Sequence, residues 1–436
     1  MHPTTDASSS APAPVYTPHQ APPAPRPARL PAGVEPAQGG VTAPEPFVAC
    51  GLHAGLKRSR PDLALLYSPQ PCSAAACFTT NRVQAPPLQV TREHLRRTGG
   101  VARAVVVNSG NANACTGPRG LEDAREMARE VALALRLAPE EVLVASTGVI
   151  GVPLPMEKLR AGIREAALRL SRDGGHGAAQ AILTTDTRVK EVAVRVDLGH
   201  GRQVVVGGMA KGSGMIHPQM ATMLAFVTTD APVAPDVLRM ALQQAVDDSF
   251  NMVTVDGDTS TNDMVVALAS GRCGGPSLQP GSQEYRRFLA ALQAVCVHLA
   301  REIARDGEGA RHLLEVHVTG AGSVEEARQV ARTVAGSNLV KSAVAGADPN
   351  WGRIAAAAGR AGVPLDPDRL SIWLGSVQVV ERGVPASYRE EEARQALLGE
   401  EVYIRVDLGG PGSAQATAWG CDLTCDYVHI NASYRT

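Results

Sequence analysis

The sequence predicts a mixed α/β fold in which helices pack on sheets, and three observations support this class. The chain has 436 residues, which is more than one ordinary compact core holds and suits a large layered unit or two domains. Aromatic residues make up only 3% of the chain, so the core must be built from Val, Leu, Ala and Ile. Short β-branched runs alternate with segments of helical periodicity along the sequence.

The first half of the chain shows this alternation clearly. Residues 102–107 form a short apolar run that predicts a buried strand, and residues 121–137 have apolar positions at helical spacing. "EEVLVASTGVIG" predicts another strand and "MEKLRAGIREAALRLS" an amphipathic helix. "EVAVRVDLGHGRQVVVGGMA" alternates on both sides of Gly-His-Gly, which predicts a β-hairpin.

The second half continues the pattern. "APDVLRMALQQAVDDSF" and "QEYRRFLAALQAVCVHLAREIARDGEGA" predict helices, whereas "DMVVALAS" and "LLEVHVTGAG" predict strands. "SVEEARQVARTVAGS" predicts a helix that starts with a capping box, because Ser323 is followed three residues later by Glu326. The C-terminal part, from "LSIWLGSVQVV" to "CDLTCDYVHINASY", is predicted to be rich in strands.

Composition limits the partners and the compartment. Residues 1–43 are rich in Pro and Ala, which predicts a disordered tail with polyproline II character. The N-terminus has no apolar segment typical of a secretory signal, and no apolar run approaches the ~20 residues of a membrane span. A net charge of −1 gives no electrostatic argument for nucleic acid or an anionic membrane. We therefore expect a cytoplasmic protein.

Several polar motifs look like sites for a metal, a nucleotide phosphate or calcium, but each lacks residues that such a site needs. The eight cysteines lack C-x-x-C spacing, which favours buried free thiols over disulfides, and Cys421 and Cys425 have no histidine-rich second half for a metal. "KGSG" has the wrong order for a nucleotide phosphate loop. "DGDTSTND" lacks the distal Glu of a calcium loop. No metal is expected.

One threonine stands out in "AKGSGMIHPQMATMLAFVTTD", residues 210–230. Thr222 follows a glycine-rich loop and precedes an apolar run, so we expect its hydroxyl at the boundary between core and cleft. A threonine hydroxyl is a poor nucleophile unless a base lies beside it. If the Ala221–Thr222 bond breaks, the freed α-amine has an ordinary pKa of about 7.7–8.0 and can act as that base.

The segment "MAKGSGMIHPQMATMLAFVTTDA" resembles the signature of the ornithine acetyltransferase / glutamate N-acetyltransferase family of arginine biosynthesis. The resemblance extends from about residue 45 to the end of the chain. Each motif is weakly specific alone, but their order is highly specific. The further motifs are "VVNSGNANACTG", "STGVIG", "ILTTDT", "FNMVTVDGDTSTND", "IARDGEGA", "GADPNWGRI" and "HINASY".

This resemblance implies a self-cleaving precursor with the α/β sandwich fold of that family, similar to N-terminal-nucleophile hydrolases but distinct in topology. Cleavage between Ala221 and Thr222 would give an α chain, residues 44–221 after the tail, and a β chain, residues 222–436. The two chains would stay together, usually as an α2β2 heterotetramer. No cofactor is implied.

The resemblance also implies the reaction and the residues that carry it. Thr222 would take the acetyl group from N2-acetyl-L-ornithine and pass it to L-glutamate in a ping-pong mechanism, and some members also accept acetyl-CoA as donor. Thr147 and Gly148 match the oxyanion-hole pair of the family. Lys211 would pair with a substrate α-carboxylate and Glu308 with an ammonium group. The matched substrate-binding positions are Thr184, Lys211, Thr222, Glu308, Asn431 and Thr436.

Two other functions stay open from the sequence. One is an amidohydrolase or aminopeptidase of the N-terminal-nucleophile type, in which water accepts the acyl group. The other is a non-catalytic ligand-binding or assembly protein, which requires an uncut chain. Arg188 and Val189 follow "TTDT" where a Phe-Pro pair is common in the family, which puts the edges of substrate preference in doubt.

Overall fold

The structure is a computed structural model that describes residues 30–199, 201–217 and 223–433. Within these ranges the chain forms two β-sheets with helices packed against them, which confirms the predicted layered α/β fold. No helix in the described ranges is both long enough and apolar enough to cross a membrane.

The larger sheet contains nine strands, which are β1 (Val34–Ala37), β2 (Val48–Leu52), β3 (Leu63–Phe78), β4 (Val101–Asn111), β5 (Val142–Val149), β6 (Lys190–Asp197), β7 (Gln203–Lys211), β8 (Leu224–Thr229) and β9 (Met264–Ala269). Their order is β1-β6-β7-β8-β9-β3-β4-β5, with β2 beside β3. The pairs β4–β5 and β8–β9 are parallel, and the other neighbours are antiparallel. The predicted hairpin is confirmed as β6 and β7.

The smaller sheet contains six strands, which are β10 (Leu313–Ala321), β11 (Ser371–Leu374), β12 (Val377–Glu381), β13 (Val384–Pro385), β14 (Glu401–Asp407) and β15 (Ala414–Cys421). Their order is β13-β12-β11-β14-β10-β15, and only β10 and β14 are parallel to each other.

The helices are α1 (Pro86–Arg97), α2 (Gly117–Leu135), α3 (Met156–Leu168), α4 (Gly175–Ala181), α5 (Pro235–Asp247), α6 (Gln283–Arg305), α7 (Val324–Ala335), α8 (Asn338–Ala345), α9 (Trp351–Gly359), α10 (Glu390–Gln395) and α11 (Cys425–Ser433). Helix α6 contacts β6 and β7 of the larger sheet and also β10 and β15 of the smaller one. It therefore joins the two sheets into one apolar core.

The middle of the larger sheet is completely buried. Every residue of β8 and β9 is buried, and both strands read as continuous runs rather than as alternating patterns. Such runs are typical of strands that are covered on both faces. Side chains at Ala225, Val227 and Val265 face α5 and α6, whereas Phe226 and Val266 face the opposite core.

The predicted capping box at the start of α7 is confirmed in part. The Ser323 hydroxyl accepts the N–H of Glu326 at 3.2 Å, as an N-cap does. The Glu326 carboxylate, however, accepts the N–H of Gly322 at 3.0 Å rather than that of the N-cap residue.

Two predictions at the chain ends are wrong in part. The predicted tail over residues 1–43 is too long, because β1 pairs with β6 and Val41 is fully buried; residues 1–29 lie outside the described ranges. The last residues that the structure describes form helix α11 (Cys425–Ser433) rather than a strand. Thr424 starts this helix, since its hydroxyl accepts the N–H of Asp426 at 3.2 Å and donates to the carbonyl of Gly309 at 2.7 Å.

The cysteines are free thiols, as predicted, but not all of them are buried. Cys273 is half-buried, and Cys115 and Cys425 are exposed. The described residues contain no cluster of three or more side chains that could hold a metal ion.

Candidate active site

A cavity of about 420 Å³ opens beside the ends of β5 and β7. Loops from several parts of the chain close it, including the glycine-rich loop after β7, the loop before β9 and the start of α11. It brings together every predicted site residue that the structure describes. These are Thr147, Gly148, Thr184, Lys211, Glu308 and Asn431.

The predicted nucleophile itself cannot be placed. Ala221, Thr222 and Thr436 lie outside the described ranges. The next residue along the chain, Met223, is buried, and its N–H donates to Asp263 Oδ1 at 3.0 Å. Because β8 begins one residue later, the chain returns to the sheet immediately after the predicted cleavage position.

Thr147 and Gly148 lie at the end of β5, where the pairing with β4 becomes irregular. Gly148 has φ +132°, and a Cβ there would lie 2.3 Å from the carbonyl carbon of Gly110. Only glycine fits this position, because both the backbone conformation and the close approach exclude a side chain. The Asn262 amide ties the region to the loop before β9, since it donates to the carbonyls of Ala112 at 2.6 Å and Ser146 at 2.9 Å.

A buried network of two aspartates and one lysine supports one side of the cavity. Lys190 Nζ lies 2.8 Å from Asp186 Oδ1 and 2.5 Å from Asp306 Oδ2, and all three side chains are almost completely shielded from solvent. Asp186 also accepts N–H groups from Thr184 at 2.9 Å and Gly212 at 2.7 Å. Asp306 accepts the N–H and hydroxyl of Thr187. The network therefore fixes the "TTDT" segment against the glycine-rich loop.

The network controls the charge of its members. Burial opposes ionisation of Asp186, but the ammonium groups of Lys190 and Lys211 hold the pKa of Asp186 well below its usual range. Burial lowers the pKa of Lys211, which is 3% exposed, while Asp186, Asp263 and Glu308 act in the opposite direction. Lys211 thus presents its ammonium group to the cavity from an environment rich in carboxylates.

The backbone of the glycine-rich loop is held by carboxylates. Asp256 accepts the N–H groups of Met215 at 2.6 Å and Ile216 at 2.8 Å, and Met215 has φ +58°. The Ser213 hydroxyl donates to the carbonyl of Asp306 at 2.6 Å. The N–H groups of Gly212, Met215 and Ile216 already bind protein oxygens, so they do not cradle a phosphate group.

Glu308 lies on the loop after α6, opposite the glycine-rich loop. Its N–H donates to the carbonyl of Ser213 at 3.1 Å, and its carboxylate accepts the side-chain amide of Asn431 at 2.8 Å. A Cβ at Gly214 would lie 2.4 Å from the Glu308 carboxyl carbon, so this glycine gives the carboxylate its room. The contact between Asn431 and Glu308 explains why the last turns of the chain belong to the site.

Two residues near the site were not assigned a role from the sequence, Tyr427 in the cavity wall and Lys57 outside its lining. Tyr427 donates its hydroxyl to Asp256 at 3.4 Å, and burial together with Asp256 raises the pKa of the Tyr427 phenol. Lys57 lies close enough to Asp186 and Lys211 to interact with both, and burial lowers the pKa of Lys57 to about 8. Its position could not be read from the sequence, because it depends on the loop before β3.

A model of the ArgJ family matches residues 48–436 of this chain. "Arginine biosynthesis bifunctional protein ArgJ" of Symbiobacterium thermophilum is 57% identical over 401 residues, which is 91% of this chain and 99% of that protein. The protein of the same name from Caldanaerobacter subterraneus is 50% identical over 402 residues, which is 91% of this chain and 99% of that protein.

Among solved structures, a chain of "Arginine biosynthesis bifunctional protein argJ" from Bacillus halodurans is 47% identical, with a TM-score of 0.47. The match covers 48% of this chain and 98% of that one. Since the family model spans most of the sequence and the curated relatives match over nearly their whole length, the chain belongs to the ArgJ family.

Proposed function

We propose that this protein transfers the acetyl group of N2-acetyl-L-ornithine to L-glutamate, giving L-ornithine and N-acetyl-L-glutamate. Curated relatives of the ArgJ family carry the name of a bifunctional protein of arginine biosynthesis, which supports a role in that pathway. The observation that carries the proposal is one cavity lined by Lys211, Glu308 and the Thr147–Gly148 pair. The same assay can test acetyl-CoA as an alternative donor.

The proposal includes a cut between Ala221 and Thr222. The Thr222 hydroxyl attacks the Ala221 carbonyl carbon, the peptide C–N bond breaks as the nitrogen takes up a proton, and water hydrolyses the resulting ester. The α-amine so formed has an ordinary pKa near working pH, where a general base is efficient. The products are residues 1–221 and 222–436, which we propose stay associated as an α2β2 assembly.

Acetyl transfer then takes place in two half-reactions. The Thr222 hydroxyl attacks the acetyl carbonyl carbon of acetylornithine, the α-amine takes the hydroxyl proton, and it hands that proton to the leaving nitrogen as the amide C–N bond breaks to release ornithine. The amine of glutamate next attacks the acetyl ester, the ester C–O bond breaks, and the hydroxyl regains its proton. Both steps form a tetrahedral oxyanion.

The cavity residues have chemistry that matches these steps. The hydroxyl of Thr147 and the N–H of Gly148 are the donors we assign to the oxyanion, and removal of one such donor typically lowers kcat by ~10²–10³. Lys211 pairs with the α-carboxylate of the amino acid, and Glu308 binds an ammonium group of ornithine. Thr184 and Asn431 orient the rest of the substrate. These assignments explain why both charges lie in one polar cavity.

A gel and a product assay test the proposal together. Purified wild-type protein should give two bands under denaturing conditions, with the first ending at Ala221, and should convert acetylornithine and glutamate to ornithine and acetylglutamate. Thr222→Ala should give one uncut band and no transfer. Thr229→Ala is the matched control, because Thr229 lies on β8 but bonds to the carbonyl of Val205 outside the cavity.

Three results would contradict the proposal. Two fragments from Thr222→Ala would exclude self-cleavage by this residue. Release of acetate at the same rate with and without glutamate would indicate an amidohydrolase. A single undivided wild-type chain without activity would favour a binding or assembly protein.

A further inference from the structure

Thr184 reaches the candidate active site from a segment without regular secondary structure. Residues 182–189 lie between α4 and β6 and belong to no helix or strand. The N–H of Thr184 donates to Asp186 Oδ2 at 2.9 Å, but the carbonyls of Leu183 and Thr184 accept no backbone N–H within the described ranges. Carbonyl groups that are shielded from water need a donor, so the position of this segment depends on side chains from elsewhere in the chain.

Two cationic side chains of one loop supply these donors. Lys57 Nζ donates to the carbonyl of Leu183 at 2.5 Å, and the Arg60 guanidinium donates to the carbonyl of Thr184 at 2.7 Å. Both cations belong to the loop between β2 and β3, residues 53–62, which is far from the segment in the sequence. Two successive carbonyls beside the cavity are therefore held by one loop.

The loop of residues 53–62 is itself fixed by one buried carboxylate. Asp62 is fully buried and accepts four successive N–H groups, from Ala54 at 2.6 Å to Lys57 at 2.8 Å. The carbonyl of Asp62 accepts the N–H of Ser109 in β4 at 2.8 Å. Successive N–H groups around an anion hold a loop in one conformation, so the Lys57 side chain starts from a defined place.

The side chain of Lys57 passes the end of β4 beside the proposed oxyanion donors. A Cβ at Gly110 would lie 3.0 Å from Lys57 Cγ, and Gly110 pairs with Gly148 between β4 and β5. Lys57 is half-buried, and Nζ also donates to the carbonyl of Pro61 at 2.9 Å. Lys57 does not line the cavity, so its ammonium group binds carbonyls of the protein rather than the substrate.

We propose that Lys57 and Arg60 are positioning residues that hold Thr184 in place for the substrate, and that Asp62 holds the loop from which they reach it. The two cations fix the carbonyls of Leu183 and Thr184, so the Thr184 side chain keeps one orientation in the cavity. Without them the segment would move, and substrate binding would weaken. The inference rests on the proposed function, because it assigns a support to a proposed substrate-binding residue.

Lys57→Met tests the inference, because it keeps most of the side chain and removes the ammonium group. Lys158→Met is the matched control, since Lys158 donates to the carbonyl of Gly55 in the same loop at 2.8 Å and forms no hydrogen bond with Thr184. Thr184→Val removes the hydroxyl, and the double variant Lys57→Met/Thr184→Val completes a double-mutant cycle. The measurements are KM and kcat of acetyl transfer from acetylornithine, and a thermal melt.

We expect Lys57→Met to melt cooperatively and to raise KM for acetylornithine about tenfold with little change in kcat, because a hydrogen bond from a charged donor is lost. Arg60→Met should raise KM by a smaller factor, since Arg60 is exposed. Lys57→Arg, which keeps a cationic donor, should recover most of the affinity, and Lys158→Met should match the wild type. In the Thr184→Val background, Lys57→Met should raise KM by less than about twofold, because the residue that it positions is already altered.

A wild-type KM in Lys57→Met, whatever its kcat, would overturn the inference, and so would an equal rise in Lys158→Met. The full tenfold effect of Lys57→Met in the Thr184→Val background would also overturn it, since Lys57 would then act independently of Thr184. If Lys57→Met has no cooperative melt, Arg60→Met decides the question by the same measurements. Failure of the wild type to transfer acetyl would instead contradict the proposed function, so the two failures are distinguishable.

Discussion

Asp186 and Asp263 are both buried within the field of Lys211, but their surroundings differ. Asp186 binds the Lys190 ammonium and two backbone N–H groups, and its pKa is held well below the usual range. Asp263 binds one backbone N–H, and its pKa is raised. A buried carboxylate that is paired with an ammonium group stays ionised, whereas burial without such a pair favours the neutral form.

We expect the largest effect when the cation that pairs with Asp186 is removed. Lys190→Met leaves Asp186 and Asp306 buried without their shared partner, and breaking such an ion pair typically costs ~3–5 kcal/mol of unfolding free energy. Urea unfolding at pH 7 measures this loss. Lys158→Met is the control, because Lys158 is exposed. A loss below about 1 kcal/mol, or an equal loss in Asp263→Asn, would remove the contrast between the two aspartates.

The next effect acts on rate rather than stability. Thr147→Val keeps the shape of the side chain but removes the proposed oxyanion donor, so kcat for acetyl transfer should fall ~100- to 1,000-fold, or about 2.7–4 kcal/mol. Thr147→Ser, which keeps a hydroxyl, should retain most of the activity. Steady-state kinetics measure both variants. Full activity in Thr147→Val would show that this wall of the cavity does not stabilise the transition state.

A third prediction uses pH to separate a carboxylate whose pKa is raised by burial from one whose pKa is lowered by its partners. Burial raises the pKa of Asp230 to about 6, above the ordinary ~3.9 of an unfolded chain. The unfolded chain loses this proton first, so the group's contribution to stability falls as pH rises from about 4 to 6, by ~2–3 kcal/mol. Asp230→Asn should abolish this fall.

Denaturant unfolding at several pH values measures the difference between wild type and Asp230→Asn. Relative to the wild type, the unfolding free energy of the variant should rise between pH 4 and 6, and the difference should stay constant above pH 6. For Asp186 the sign is opposite, since its pKa is lowered: its contribution is present above about pH 4 and is lost as pH falls through the folded value. A difference between variant and wild type that does not change with pH would contradict the prediction.

The smallest effect concerns substrate charge. Glu308→Gln keeps an acceptor for the Asn431 amide but removes the negative charge, so KM for acetylornithine should rise about tenfold, or ~1.4 kcal/mol, with little change in kcat. Glu302→Gln is the control, because Glu302 pairs with Arg305 outside the cavity. A change confined to kcat would indicate that Glu308 acts on the reacting atoms instead.

The regular elements were predictable where one periodicity dominates, as in the β6–β7 hairpin and in α7. Strand β3 was not predicted, because Pro69 and Pro71 read as breakers. The structure accommodates them where the pairing with β4 shifts between Tyr67 and Cys72. Helix α11 was misread as a strand, because its few β-branched residues hide the cap at Thr424.

The candidate site was predictable to the extent that its residues belong to recognisable motifs. The resemblance that placed Thr147, Lys211 and Glu308 together is confirmed at the level of the family, and the described positions line one cavity. Lys190 was not found, because its role depends on burial and on partners far away in the sequence. A lone lysine at the start of a strand carries no local sign that it joins two aspartates.

The strand order of the larger sheet has one more consequence. Strands β8 and β9 come from the C-terminal side of the proposed cut, yet they lie between β7 and β3, which come from the N-terminal side. The larger sheet would thus be built from strands of both polypeptides, with strands of one lying between strands of the other. Neither half could complete the larger sheet if made separately, so the two products of scission should copurify under native conditions and should refold only when mixed.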